Sequence, residues 1–86
     1  MHEKIETPVE ADKSEEIVLK ELGQVILQTR LAGGLSQEEL SRRSGISRYY
    51  ISSIERGAKN VTVVVLRRLA SVLRVKGWEL LRKAED

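Results

Sequence analysis

LSQEELSRRSGISRYYISSIERG, running from Leu35 to Gly57, reads as two short helices joined by a tight turn. Ser36-Gln37-Glu38-Glu39 has the form of a capping box, in which the Ser36 hydroxyl and the Glu39 carboxylate each satisfy an orphan backbone donor. Leu35 and Leu40 flank it at the spacing of a hydrophobic staple. The first helix stops at Gly45, where a left-handed backbone excludes a side chain. Ile46 points inward and holds the two helices at their angle. Ser47 caps the second helix, which runs from Arg48 to about Arg56, and Gly57 closes it. Two short helices around a glycine turn make a helix-turn-helix, spanning about residues 36–56.

Working outward, residues 1–13 (MHEKIETPVEADK) mix charges with one proline and show no periodicity, which predicts a flexible N-terminal arm. Residues 14–86 form the folded domain. Ser14 is a cap for the first helix, with Glu15 and Glu16 favourably placed against its dipole. Val18, Leu22, Val25 and Thr29 then recur at helical spacing, widened by Ile17 and Ile26, until Gly33-Gly34 ends the helix. Downstream, Thr62 caps a fourth helix whose apolar face is Val65, Leu66, Leu69, Val72 and Leu73. A fifth helix covers Gly77 to Ala84, with Trp78 and Leu81 as its apolar contacts. The β-branched run from Val61 to Val65 is the one local strand signal, and the helical spacing after Thr62 overrides it. All six glycines read as helix ends or turns.

An 86-residue chain that is 41% hydrophobic has room for one small core. Cores of that size are marginal and often gain stability by pairing with a second copy. The chain lacks cysteine, which excludes disulfides and thiolate metal sites, and no metal or other cofactor is expected. No apolar run approaches the length of a membrane span, so the cytoplasm is the expected location. The net charge of +2 conceals an uneven distribution. Between Gln24 and Lys76 ten Lys and Arg stand against three acids, giving +7 there and −5 for the two ends together. A basic middle suits a polyanion on one surface, and it equally suits plain solubility.

On a helical wheel the third helix separates cleanly. Tyr50, Ile51 and Ile54 face the core. Arg48, Tyr49, Ser52, Ser53 and Arg56 face outward, and Glu55 falls at the buried edge. An ordinary solvated face usually mixes Glu with Lys. This one carries no acid to repel a phosphate.

From Leu22 to Leu81 the chain resembles the Cro/cI-type helix-turn-helix family of bacterial regulators, also called the xenobiotic-response-element family. The resemblance is carried by LSQEEL, SGIS, IERG, LRRLASVLRV and WELL. It implies an all-α, compact five-helix, lambda-repressor-like DNA-binding domain. It implies a transcriptional regulator that reads double-stranded DNA through the major groove, in the nucleoid when bound. Residue by residue, Gln37 matches a glutamine that touches a DNA phosphate and braces the recognition helix. Ser47, Arg48, Tyr49 and Ser53 match positions that meet base edges or flanking phosphates, and Ser52 stands beside them. Arg30 and Glu55 match a structural salt bridge between the first and third helices. Arg48 suits either the O6 and N7 edge of guanine or a phosphate, and Tyr49 a thymine methyl or a phosphate. Arg43, Arg56, Lys59 and Asn60 suit phosphates, setting register without reading sequence. Arg67, Arg68 and Arg74 read equally well as solvated charges. Asn60-Val61-Thr62 stands where many members of the family carry a proline. That form is similar to the controller proteins of restriction-modification systems.

A single recognition helix reads few base pairs. A homodimer on a pseudo-palindromic operator is therefore expected, paired through the fourth and fifth helices by Val64, Trp78 and Leu81. For Trp78, core packing is an equal alternative. No small-molecule ligand is expected, and catalysis is not: the lone histidine is His2, and no phosphate-cradling glycine motif is present. The other class open to this fold is an antitoxin-like or adaptor protein that mainly binds a protein partner.

Overall fold

Four helix starts in the chain are set by side chains or carboxylates that meet orphan N–H groups. The structure, a computed structural model, describes residues 13–86, with side chains from Glu15 onward. Its elements are α1 (Lys13–Ala32), α2 (Gln37–Ser44), α3 (Arg48–Glu55), α4 (Val63–Leu73) and α5 (Gly77–Glu85). The expected arm, residues 1–13, lies outside the described residues except for Lys13, which opens α1. Ser14 is accordingly inside α1 rather than its cap.

Ser36 Oγ accepts from the Glu39 N–H at 3.0 Å, Ser47 Oγ from the Tyr50 N–H at 3.1 Å, and Thr62 Oγ1 from the Val65 N–H at 3.1 Å. At α5 the Lys76 N–H donates to Glu79 Oε1 at 2.8 Å. The capping box forms only in its serine half. The Glu39 carboxylate accepts from Arg42 and Arg43 instead, at 3.2 and 3.1 Å. Guanidinium groups three and four residues on offer charge-assisted bonds, which outcompete a neutral N–H. Thr62 and the following turn carry Val63 to Val65 into helix despite their β-branching, as the spacing predicts.

Gly45 turns the chain between α2 and α3 with φ 78°, and its N–H returns to the Ser41 carbonyl at 2.9 Å. Ser44 Oγ accepts from the Ile46 N–H at 3.1 Å, which aims Ile46 into the core.

The core is Leu22 and Ile26 from α1, Leu40 from α2, Ile46 from the turn, and Ile51 and Ile54 from α3. Leu66, Leu69 and Ala70 from α4 and Leu80 and Ala84 from α5 complete it. Helix α1 backs both α3 and α5, α2 packs on α3 and α4, and α4 on α5. Among the described residues every element is helical, and no helix is long and apolar enough to cross a membrane.

Three expectations about facing need correction. Ile17 stands exposed instead of joining the α1 stripe, because the buried run of α1 starts at Leu22. On α5 the buried residues are Leu80 and Ala84, while Trp78 is 57% exposed, so core packing does not account for Trp78. Gly23 is neither a helix end nor a turn. It sits inside α1 where α3 crosses: a Cβ there would collide with the Ile54 carbonyl and lie 2.7 Å from the Glu55 carbonyl oxygen. The glycine sets how close the two helices come.

Candidate nucleic-acid interface

The third helix must be held rigidly to present a reading face, and a buried ion pair holds it. Arg30 Nε donates to Glu55 Oε2 at 2.7 Å and Arg30 Nη2 to Glu55 Oε1 at 3.0 Å. Both residues are buried, at 7% and 9% exposure. Two further bonds join the pair to its surroundings. Arg30 Nη1 reaches the Leu35 carbonyl at 2.9 Å, and Gln37 Nε2 donates to Glu55 Oε1 at 2.9 Å. The end of α1, the start of α2 and the end of α3 are thus tied at one carboxylate. A planar guanidinium matches a carboxylate in this two-bond form, which fixes angle as well as distance. The expected Arg30–Glu55 bridge is present, and Gln37 braces α3 with its amide.

The tie brings the start of α2 beside α3. Arg48 occupies the first position of α3 and projects outward, with Tyr49 next to it. Ser52 follows one turn on. Arg56 folds back along the helix, its Nη1 donating to Ser52 Oγ at 2.6 Å and its Nη2 to Ser53 Oγ at 3.4 Å. Ser53 departs from the outward face expected of it: the structure buries it to 1% exposure. It lies between the core residues Ile51 and Ile54 and under the Arg56 guanidinium, so its hydroxyl does not reach outward.

Lys59 and Asn60 stand exposed in the loop after α3. That loop is anchored by Tyr50, whose hydroxyl donates to the Asn60 carbonyl at 2.9 Å. Sequence reading gave Tyr50 to the core alone. Its ring does pack there, while its hydroxyl positions the loop. Arg43 stands apart from this cluster. It pairs with Glu39 and lines a separate cleft with Gly33, Gly34, Leu73 and Arg74.

Two residues were missed. Arg68 of α4 brings its Nη1 to 3.6 Å from where a Gly45 side chain would begin, so a guanidinium covers the turn at the carbonyl end of α2. Glu38 of α2 stands opposite Arg48, Oε2 to Nη1 at 3.9 Å. Neither pairing is visible in sequence, since helix packing alone brings residues ten and more apart together.

The assembled surface has a guanidinium, a phenol and a hydroxyl on α3, with two further cations at its end. It offers donors to phosphate oxygens and base edges, and the one acid of α3, Glu55, is buried away from that face.

Residues 26–77 match the family described as Helix-turn-helix. An HTH-type transcriptional regulator of Sinorhizobium fredii is 42% identical over 67 residues, covering 78% of this chain and 87% of that protein. The solved restriction-modification controller protein C.AhdI from Aeromonas hydrophila superposes with a TM-score of 0.70 at 42% identity, over 72% of this chain and 94% of that one. The controller protein C.Esp1396I, solved as a tetramer with its natural 35 base-pair operator, superposes with a TM-score of 0.69 at 36% identity, over 78% and 92%.

Proposed function

We infer that this chain, which belongs to the helix-turn-helix family, is a transcriptional regulator that binds a double-stranded DNA operator as a dimer. The observation that carries the reading is the acid-free outer face of α3, locked to the rest of the fold through the buried Arg30–Glu55 pair. Such a face is a reading head on a rigid arm. The controller protein bound to its operator shows a similar fold used on DNA.

Helix α3 lies in the major groove. Arg48 contacts guanine O6 and N7, Tyr49 packs on a thymine methyl, and Ser47 and Ser52 contact the groove edge directly or through water. Arg56, Lys59, Asn60 and the start of α2 at Gln37 meet phosphates and set the register. Arg43 and the buried Ser53 fall outside this set. The chain works by binding and not by catalysis, and its place is the cytoplasm, on the nucleoid. Asn60-Val61-Thr62 and the two controller proteins support the controller subgroup.

The test is selection of bound sequences from a random duplex pool at physiological salt, run in parallel with Arg48→Ala. The expected result is an enriched pseudo-palindrome that the variant relaxes at fixed positions. Binding without enrichment that fades with salt alone overturns the reading and favours a protein partner instead.

A further inference from the structure

Three acids stand among the basic residues between Gln24 and Lys76, and the fold uses two of them. Glu55 holds Arg30 and Gln37, and Glu39 holds Arg42 and Arg43. The third, Glu38, serves no cap, because Ser36 Oγ takes the Glu39 N–H. Its side chain is 79% exposed, and its ion-pair partner is Arg48, 3.9 Å away and itself exposed.

The position is costly for a protein that meets phosphate. Glu38 is the second residue of α2, at a helix end whose unbonded N–H groups attract anions. It puts a negative charge at a helix end that would otherwise favour a DNA phosphate, next to the guanidinium best placed to read a base.

We propose that Glu38 is a specificity-determining positioning residue, which acts through Arg48 by restraining its guanidinium and penalising contact with phosphate. This rests on the DNA-reading role of α3 given above. An exposed ion pair at this distance is weak. A two-bond contact to guanine displaces it readily. A phosphate contact displaces it as well, but leaves the Glu38 carboxylate facing the like-charged backbone, a repulsion that a contact to guanine in the groove does not force. Arg48 is therefore released where the sequence is right and withheld where it is not.

The experiment uses four proteins: wild type, Glu38→Gln, Arg48→Ala and the double variant. Each is measured on the selected operator and on a random duplex across a salt series. Glu38→Gln is expected to raise affinity for the random duplex several-fold, with a log–log salt slope steeper by about one. Affinity for the operator rises less, so the specificity ratio falls, and site selection degrades at the positions Arg48 reads. In the Arg48→Ala background the same change is expected to leave the ratio where it was. The melting temperature is expected to fall only slightly, because Gln gives up the exposed carboxylate's attraction to the start of α2 and no buried contact. An equal rise on both duplexes in both backgrounds overturns the proposal and leaves Glu38 a plain surface charge. A wild-type protein that enriches no sequence overturns the regulator reading itself.

Discussion

Arg30 and Glu55, 25 residues apart, meet through two hydrogen bonds of 2.7 and 3.0 Å inside the fold. The pair also collects Leu35 and Gln37, so one carboxylate and one guanidinium fix the relative placement of three helices. Removing one partner leaves the other charged and buried. Glu55→Ala is expected to cost about 3–5 kcal/mol. Urea unfolding followed by circular dichroism measures it. A variant that unfolds at the wild-type midpoint yet selects a different operator shows that Glu55 reads DNA instead of holding the scaffold.

Gly23→Ala sets two effects against each other. Alanine improves helix propensity by about 1 kcal/mol. The added methyl meets two backbone carbonyls of α3, at Ile54 and Glu55, which have no rotamer to escape by. Overpacking of this kind costs about 1–3 kcal/mol, and a backbone obstacle pushes toward the upper end. A net loss of at least about 1 kcal/mol is expected in the same urea assay. A gain shows that α1 slides on α3 without penalty.

Much of this was legible beforehand, and the reason is local chemistry. Ser36, Gly45, Ser47 and Thr62 act on their own few residues, so the helix starts and the turn follow from spacing. Partnerships between helices were another matter. Glu38 with Arg48, Tyr50 with Asn60, Arg68 over Gly45 and Gly23 under α3 depend on packing angles that no periodicity encodes. Ser53 shows the limit of a wheel: it sorts residues by direction and ignores the Arg56 side chain that lies over them.

Tyr50→Phe separates positioning from reading. The lost bond runs to the Asn60 carbonyl at an exposed loop, where water replaces it, so stability falls by about 0.5–1.5 kcal/mol at most. The loop carrying Lys59 and Asn60 loses its anchor. Operator affinity is expected to drop several-fold with the base preference and the salt slope unchanged, because no phosphate contact is deleted. Fluorescence anisotropy across a salt series reads all three. A changed base preference shows that the hydroxyl itself meets DNA.

Val64 and Trp78, 63% and 57% exposed on α4 and α5, are expected to carry the dimer. Val63, Trp78 and Leu81 line one open cleft between α4 and α5, while each helix buries its other face in the core. Exposed apolar side chains grouped in this way mark an interface. Val64→Asp places a charge at an exposed position of α4 and replaces no buried residue. Sedimentation equilibrium is expected to show a monomer in place of a dimer, and the variant binds an isolated half-site while losing the affinity gained from two half-sites held together. Two other results discriminate. A variant that sediments as a dimer moves the interface off α4 and α5. A variant that is unfolded at all concentrations makes the second copy part of the fold, since a core this small then does not stand alone.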